Sequence, residues 1–297
     1  MKTILVTGGT GFVGSSFVNN LKNNKNYKVY SPSSKILNLE DLKSVERFFI
    51  RNKIDYVIHT ANHHVHPRDK KSKDPNIQLK NNVTMYFNLY MQSNYYKRLI
   101  NFGSGGELPR ELWNTNIKEN DIGKVVPKDQ YGLSKLIISS FIKNLKDQKF
   151  INLRLFGVFG EFDDWRYRFI PNLCAKAILN KNLKMNNNGI FDFIYIKDVI
   201  KTTLKILDKK LKFYDYNLST GRKLELINIA NKIQKLNEDK ELKIQVPSKK
   251  IAVTYVGNNM RLKRENLLAD LTPIDESILN VYEHLKKNKK NIVSNDL

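Results

Sequence analysis

The sequence predicts an α/β protein built on a doubly wound parallel sheet, with a smaller lobe formed by its C-terminal part. In the first half, short runs rich in β-branched and aromatic residues alternate with segments of helical spacing, which is the pattern of strand–helix–strand units. After about residue 160 this alternation becomes irregular. We therefore expect a first domain over 1–160 and a smaller α/β lobe over 161–297, with some strands and helices of the second part returning to the first.

The first domain is expected to contain five strands and four helices. Within 41–52, the apolar residues Leu42, Val45, Phe48 and Phe49 recur at the spacing of one helix face. The strands are predicted at 3–9, 27–32, 55–61, 98–104 and 150–160. The helices are predicted at 12–24, 41–52, 76–96 and 131–146.

The second part of the chain is expected to mix helices with short strands. Helices are predicted at 167–179, 224–237 and 274–287. Strands are predicted at 214–221 and 242–246, and 191–207 is predicted to begin as a strand and continue as a helix. No internal repeat and no long flexible linker is visible, so we expect this lobe to pack directly on the sheet.

The chain is strongly basic, with 51 Lys and Arg residues against 29 Asp and Glu residues, a formal net charge of +22. The lysines are scattered, and no basic run is interleaved with aromatic residues, as nucleic-acid modules require. We expect no nucleic-acid partner. Summed positive charge does attract anions over a distance, so an anionic small-molecule substrate is the favoured partner.

Several features favour a cytoplasmic protein. A single cysteine, Cys174, excludes an internal disulfide and lies in an apolar helical pattern typical of a core residue. No run reaches the roughly 18 apolar residues that span a bilayer, so no membrane association is expected. Met1 and Lys2 lead almost directly into the first predicted strand, and no leader peptide is expected.

The segment "TGGTGFVG" places Gly8, Gly11 and Gly14 between the first strand and the first helix. Residues without a β-carbon let the backbone turn tightly and approach a pyrophosphate, which the N-terminus of the helix then attracts. This arrangement predicts a dinucleotide site in a Rossmann domain. The end of the second strand carries Ser31, Ser33 and Lys35 in place of the usual carboxylate, which favours NADP over NAD.

Tyr131 and Lys135 lie four residues apart, on one face of a predicted helix. A free phenol titrates near 10, and a neighbouring ammonium group favours its ionised form. We expect Lys135 to lower the pKa of Tyr131, which could then donate a proton to the oxygen of a carbonyl group during hydride transfer. Lys135 could also hold the ribose of the cofactor.

These motifs resemble the extended short-chain dehydrogenase/reductases that modify nucleotide sugars, the NAD-dependent epimerase/dehydratase family. "TGGTGFVG" is similar to the cofactor turn of the family, "YGLSK" to its catalytic helix, "FDFIYIKDV" to its "RDFIYVDDV"-like segment, and "NLSTG" with the following helix to its C-terminal lobe. The resemblance implies an NAD(P) cofactor, a nucleotide-diphosphate sugar substrate and a homodimer formed through the helices at 76–96 and 131–146. A role in surface-polysaccharide biosynthesis would also fit.

The resemblance also implies roles for individual residues. Ser104, Tyr131 and Lys135 would be catalytic, and Ser104, Gly105 and Glu107 would contact the substrate. Asn38 and Leu39 match a pair that contacts adenine, whereas Thr60, Ala61 and Asn62 would lie beside the nicotinamide. The residues implied for the cofactor turn are Gly8, Thr10, Gly11, Phe12, Val13 and Gly14.

Departures from the family favour one reaction. Dehydratases follow their catalytic hydroxyl residue with an acidic pair, but Gly105 and Gly106 follow Ser104 here. The stretch 36–61 resembles the GDP-fucose synthase branch, whose epimerising Cys and His are replaced by Gly106 and Arg168. An NADPH-dependent 4-keto reductase of a nucleotide sugar is therefore the first hypothesis. A C4 epimerase with retained NAD and a non-catalytic NADP-binding protein are the alternatives.

Other polar residues are candidates for substrate binding. Arg168, Arg222 and Arg261 could each hold a diphosphate, because a guanidinium group donates paired hydrogen bonds. The segment "HTANHHVHP" contains four histidines, His59, His63, His64 and His66, of which His64 is a candidate substrate contact. No carboxylate or cysteine completes a ligand set, so no metal site is predicted.

Overall fold

The computed structural model describes residues 1–63, 65, 74–237, 242–294 and 297. The strands are β1 (Lys2–Thr7), β2 (Tyr27–Tyr30), β3 (Tyr56–His59), β4 (Arg98–Ser104), β5 (Phe150–Leu155), β6 (Val158–Phe159), β7 (Leu183–Lys184), β8 (Asn188–Phe191), β9 (Ile194–Tyr195), β10 (Asp215–Leu218), β11 (Leu224–Glu225), β12 (Ile244–Gln245) and β13 (Ile251–Tyr255). The α-helices are α1 (Phe12–Leu21), α2 (Leu42–Arg51), α3 (Gln78–Tyr90), α4 (Gln130–Leu145), α5 (Phe169–Ile178), α6 (Ile196–Ile206), α7 (Leu226–Gln234), α8 (Met260–Arg264) and α9 (Ile274–Lys287).

The main sheet has six strands in the order β10–β5–β4–β3–β1–β2, and every adjacent pair is parallel. The strand order reverses between β1 and β3, because β2 lies on one side of β1 and β3 on the other. Ligands of open α/β sheets bind at the carboxyl ends of the strands beside such a switch point. The fold therefore directs attention to the residues that follow Thr7 and His59.

Both faces of the main sheet are covered by helices, as the doubly wound arrangement requires. Ile4, Val6 and Ile58 pack with α1, α5 and α6 on one face, whereas Leu5 and Val57 pack with α2, α3 and α4 on the other. Alternate residues of a strand point to opposite faces, so continuous apolar strands are buried on both sides. This rigid layer fixes the positions of the loops at the sheet edge.

The smaller lobe combines short strands with α5, α7 and α9. β8 is the middle strand of three, antiparallel to β11 and parallel to β13. β7 pairs with β12 and β6 with β9, each pair being parallel. α5 packs against both α7 and α9. A third apolar cluster, of Leu108, Ile117, Phe156 and Tyr255, joins this lobe to the segment after β4.

The predicted α/β fold class is confirmed, and most predicted elements are present. The helix expected at 76–96 is shorter: α3 covers Gln78–Tyr90, with 3-10 turns at Pro75–Ile77 and Ser93–Tyr95 on either side. The strand predicted at 214–221 is β10, which belongs to the main sheet. β13 and α8 were not predicted. In the described part of the chain, no helix is both long and apolar enough to cross a membrane.

Candidate active site

The glycine turn after β1 brings the chain very close to β3. Gly8 has a φ of +67°, a conformation that favours glycine, and a β-carbon on it would lie 2.7 Å from the Ala61 Cα. A β-carbon on Gly14 would lie 2.3 Å from the Gly8 carbonyl oxygen. Gly11 caps α1 without a side-chain hydrogen bond, so the first N–H groups of this helix remain available to an anion.

A buried histidine that the sequence did not identify supports the same edge. The Thr7 hydroxyl oxygen accepts hydrogen bonds from the backbone N–H groups of Thr60 (3.2 Å) and Ala61 (3.3 Å). Its hydroxyl group is therefore free to donate to His59 Nδ1, 2.9 Å away. Burial, helped by the charge of Lys135, lowers the pKa of His59 to about 3. A neutral imidazole thus holds the segment that follows β3.

The residues around the turn fit a dinucleotide. The side-chain oxygen of Asn62, Oδ1, is buried and has no hydrogen-bond partner among the described residues, so it could accept one from a bound ligand. A β-carbon on Gly9 would lie 1.8 Å from the Ser31 hydroxyl oxygen, which shows how closely the end of β2 approaches the turn. Ser31, Ser33 and Lys35 are all exposed.

The two residues expected to contact adenine lie further along the same edge. Asn38 is exposed, and its side-chain oxygen accepts a hydrogen bond from the Glu40 N–H group. Leu39 is buried in the cluster with α2 and α3, and the Asn88 side chain donates to its carbonyl oxygen. The Asn38 side chain is thus open to a ligand, whereas the Leu39 side chain belongs to the core.

Ser104 and Tyr131 come together from two different elements. Ser104 ends β4, and Tyr131 lies in the first turn of α4, whose N-terminus is capped by Asp129. The Ser104 hydroxyl group lies close enough to the phenol of Tyr131 to act on its pKa. A β-carbon on Gly106 would lie 3.3 Å from the Ser104 hydroxyl oxygen and 3.6 Å from the Tyr131 ring. Gly106 therefore lies directly against both residues of the pair, and a side chain at this position would contact them.

Lys135 lies one turn further along α4. Its Nζ is 5.8 Å from the centre of the Tyr131 ring and donates a 2.9 Å hydrogen bond to the Phe102 carbonyl oxygen. Burial lowers the pKa of Lys135 to about 8. Burial also raises the pKa of Tyr131, although the nearby Ser104 hydroxyl group and the charge of Arg168 oppose that rise. The net lowering expected from Lys135 is therefore wrong for this structure, because loss of hydration outweighs nearby charge.

Glu107 is a structural group and does not face a substrate. It is 0% exposed, and its carboxylate accepts hydrogen bonds from the Ser104 N–H group (2.9 Å) and the Ser139 hydroxyl (2.7 Å). Arg154 donates to the same carboxylate through Nε at 2.8 Å and Nη2 at 2.7 Å. The expected substrate role of Glu107 is thus corrected, because its oxygens bind protein donors that hold Ser104 in place.

Arg261 also belongs to a protein network. Its Nη1 donates to the Asp215 carboxylate at 2.8 Å, its Nη2 donates to the Asn120 side chain at 2.8 Å and its Nε lies 3.6 Å from Glu119. Asp215 begins β10, at the sheet edge opposite the glycine turn. The expected diphosphate contact of Arg261 is therefore corrected as well.

The other arginine candidates remain accessible. Arg168 precedes α5 with its side chain 53% exposed, and its Nε lies 3.6 Å from the buried carboxylate of Asp163. Arg222 is exposed in the turn after β10. Its backbone N–H group donates to the Thr220 hydroxyl oxygen. Of the three arginines, only these two can reach a ligand without breaking a buried ion pair.

The histidine loop is only partly described. His64 lies outside the described residues. His63 is 2% exposed, with Nε2 2.9 Å from the Asp74 carbonyl oxygen and Nδ1 3.1 Å from the Asn81 side chain. It therefore fastens the loop to α3. Within the described ranges no three His, Cys, Asp or Glu side chains gather as a metal site.

The chain belongs to the NAD dependent epimerase/dehydratase family, whose model matches residues 4–219. It is 24% identical over 276 residues to the dTDP-4-dehydro-6-deoxyglucose reductase of Escherichia coli, covering 82% of this chain and 85% of that protein. The protein is therefore an enzyme of the oxidoreductase or epimerase kind. Within the family no single activity follows from membership.

Solved structures of the same fold cover nearly the whole chain. The UDP-glucose 4-epimerase of Thermotoga maritima, solved with UDP-glucose, superimposes with a TM-score of 0.80 at 21% identity and covers 96% of this chain and 99% of its own. The GDP-L-fucose synthetase of Naegleria fowleri, solved with NADP, gives 0.81 at 20% identity and covers 98% and 94%.

Proposed function

We propose that the protein is an NADPH-dependent reductase of a nucleotide-linked 4-keto sugar. The observation that carries the proposal is the close approach of Ser104 and Tyr131 on either side of Gly106, with Lys135 on the next turn and the glycine turn on the same sheet edge. This set is sufficient for the reduction of a carbonyl group, which needs a hydride, a proton and a group to hold the oxygen.

Each residue has a defined part in that reduction. A bound nicotinamide supplies the hydride. The Ser104 hydroxyl donates a hydrogen bond to the carbonyl oxygen and orients it, and Tyr131 donates its proton to the oxygen as negative charge develops there. The raised pKa of Tyr131 keeps the phenol protonated at neutral pH, as a proton donor must be. Lys135 supplies a polar group that can hold the ribose. Burial lowers the pKa of this amine to about 8.

The same region argues against elimination of water. That reaction needs an acid next to a base, and the two positions after Ser104 are glycine. A β-carbon on Gly105 would lie 2.0 Å from the Tyr255 hydroxyl oxygen and 2.6 Å from its ring carbon Cζ. A carboxylate side chain at position 105 would therefore require Tyr255 to move. Glu107, the nearest acid in the sequence, is bound to Arg154.

Inversion of carbon atoms next to the carbonyl is also disfavoured. It requires a group that removes a proton from carbon and another that returns it. Gly106 offers no side chain, and the guanidinium group of Arg168 carries only N–H donors and no acceptor atom for a proton. Reduction without inversion needs neither group.

The preference for NADPH rests on the end of β2. No acidic residue occurs between Tyr30 and Asn38, so no carboxylate repels a 2′-phosphate there. Hydroxyl groups at Ser31 and Ser33 and the ammonium of Lys35 offer donors to that phosphate. The formal charge of +22 would also favour the approach of an anionic nucleotide sugar.

A homodimer formed through α3 and α4 is part of the proposal. The two helices pack side by side and carry the partly buried aromatic residues Phe87, Tyr90 and Phe141. Ile137 on α4 is 38% exposed, and Met91 at the end of α3 is 59% exposed. Light scattering after gel filtration gives the mass directly, and a monomer at micromolar concentration would contradict this part.

The test is a panel of nucleotide-linked 4-keto-6-deoxy sugars with NADPH or NADH, followed by the loss of absorbance of the reduced nicotinamide. We expect stoichiometric consumption, faster with NADPH, and a loss of at least about 100-fold in kcat for Tyr131→Phe. Tyr214→Phe, at the opposite sheet edge, is the matched control. A C4 epimerase would instead interconvert saturated sugars without net consumption and would retain its cofactor through purification.

A further inference from the structure

Tyr255 lies where the two lobes meet, beside the catalytic pair. It ends β13, and its backbone pairs in register with Phe191 of β8. The next residue, Val256, donates a 3.0 Å hydrogen bond to the Asn114 carbonyl oxygen, in the segment that follows Ser104. The side chain of Tyr255 covers Gly105 so closely that a β-carbon on Gly105 would lie 2.0 Å from the Tyr255 hydroxyl oxygen.

The ring of Tyr255 is held by other aromatic rings. Its centre lies 4.1 Å from Trp113, 5.0 Å from Phe156 and 5.8 Å from Phe191. The Trp113 indole is itself fixed, because it donates a 2.8 Å hydrogen bond to the Leu108 carbonyl oxygen. Packing of this kind restricts the ring to one orientation, so its hydroxyl group has a fixed position.

The hydroxyl group of Tyr255 has no hydrogen-bond partner among the described residues, although the residue is only 8% exposed. A buried tyrosine usually finds such a partner. Here Tyr195 donates to Glu161, Tyr216 to Glu265 and Tyr96 to the Leu89 carbonyl oxygen.

The surroundings of this hydroxyl group are those of the catalytic pair. The charged and titratable groups that act on it are Tyr131, Glu107, Arg168 and Asp192. Two of these are committed elsewhere: Glu107 binds Arg154, and Asp192 accepts hydrogen bonds from the Thr220 side chain and the Gly221 N–H group. The accessible polar groups next to Tyr255 are thus Tyr131 and Arg168.

We propose that the Tyr255 hydroxyl group binds an oxygen of the sugar ring of the substrate, on the side of the cleft opposite Ser104 and Tyr131. Glycine at 105 lets the Tyr255 hydroxyl group approach the backbone beside Ser104, and glycine at 106 places no side chain of its own against Ser104 and Tyr131. A sugar offers hydroxyl and carbonyl oxygens at several positions around its ring, so contacts from two sides fix its orientation. Tyr255 would then select which sugars present their carbonyl to Tyr131. This inference rests on the proposed function.

The experiment compares Tyr255→Phe with Tyr214→Phe and the wild-type protein. The Tyr255→Phe variant removes the hydroxyl group but keeps the ring against Trp113. We expect the KM for the keto sugar nucleotide, and the dissociation constant of the product nucleotide sugar by calorimetry, to rise about three- to tenfold, the effect of one neutral hydrogen bond. The kcat and the dissociation constant of NADPH should stay within twofold of the wild-type values, and the Tm within one degree. The control Tyr214→Phe should change none of the five quantities.

A second variant changes Gly105, the residue that the Tyr255 hydroxyl group faces. Gly105→Ala places a β-carbon against the Tyr255 ring and should displace the hydroxyl group, raising the same two constants at least as much as Tyr255→Phe. If wild-type protein binds no nucleotide sugar, the proposed function fails and this inference fails with it. If the wild type binds and Tyr255→Phe binds equally well, the inference alone is overturned.

Discussion

Two buried carboxylates, Glu107 and Asp163, differ in how many hydrogen-bond donors surround them. Glu107, after β4, is 0% exposed and accepts hydrogen bonds from Ser104, Ser139 and Arg154. Asp163, in the segment before α5, is 7% exposed. One of its oxygens accepts from the Asp164 N–H group, and the other has no hydrogen bond among the described residues and lies 3.6 Å from Arg168.

This difference separates a supporting role from an adjustable one. A buried carboxylate with a full set of donors keeps its charge and holds its neighbours, whereas an incompletely partnered one shifts its pKa. Burial raises the pKa of Asp163 to about 6 in spite of the attraction of Arg168. Glu107 thus fixes the backbone of Ser104, whereas Asp163, beside Arg168, can change its charge at a pH of about 6.

The largest expected effect comes from breaking the supporting network. Glu107→Gln leaves the buried Arg154 without its closest anion, and we expect a loss of roughly 3–5 kcal/mol in the free energy of unfolding, measured with urea. The value should fall toward the lower end because Asp215 lies 3.4 Å from the same guanidinium. Glu283→Gln, on an exposed face of α9, is the control. Unchanged stability in Glu107→Gln would contradict a supporting role.

Asp163→Asn should stabilise the protein, by less than Glu107→Gln destabilises it. Because its folded pKa is about 6 against an ordinary 3.8, this carboxyl binds its proton more tightly in the folded protein, and its ionisation destabilises the fold as pH rises from about 4 to 6. The variant should therefore gain stability over the wild type through that range, by up to about 3 kcal/mol above pH 6. Thermal unfolding between pH 4.5 and 7.5 measures this difference.

The control for that pH series is Asp270→Asn, whose side chain is exposed. Its Tm relative to the wild type should not change with pH. A difference between Asp163→Asn and the wild type that stays constant from pH 4.5 to 7.5 would mean that Asp163 is ionised throughout, and the contrast with Glu107 would disappear.

The parts of this site that could be predicted from the sequence consist of residues that lie close together along the chain. The strand, glycine turn and helix over 2–21 are contiguous in the sequence, and Tyr131 and Lys135 are one helical turn apart. The roles of Glu107 and Arg261 could not be predicted in this way, because their partners Arg154 and Glu119 lie 47 and 142 residues away in the sequence. A strand signal was present in "IAVTYV" at 251–256, but nothing local indicates that Tyr255 reaches Gly105.

Ser139→Ala tests a single donor of the supporting network. The Ser139 hydroxyl donates to Glu107 at 2.7 Å in a buried position on α4. Its removal leaves one lone pair of the carboxylate unsatisfied, and we expect a loss of about 1–3 kcal/mol in the free energy of unfolding. Ser140→Ala, the next residue on the same helix, is the control. A loss equal to that of Glu107→Gln would show that the serine, and not the ion pair, dominates.

The smallest effect is expected from substitution of Arg168, which lies 3.6 Å from the Asp163 carboxylate. The positive charge of Arg168 opposes the rise in the pKa of Tyr131, so Arg168→Gln should raise that pKa further. The alkaline limb of kcat/KM, where the phenol loses its proton, should move to higher pH by less than about one unit, since the arginine is largely hydrated. Ser104, Glu107, Asp129 and the side chain of Lys135 remain around Tyr131 in the variant. The exposed Arg222→Gln is the control. A tenfold rise in KM with an unchanged pH profile would instead identify Arg168 as a ligand of the substrate diphosphate.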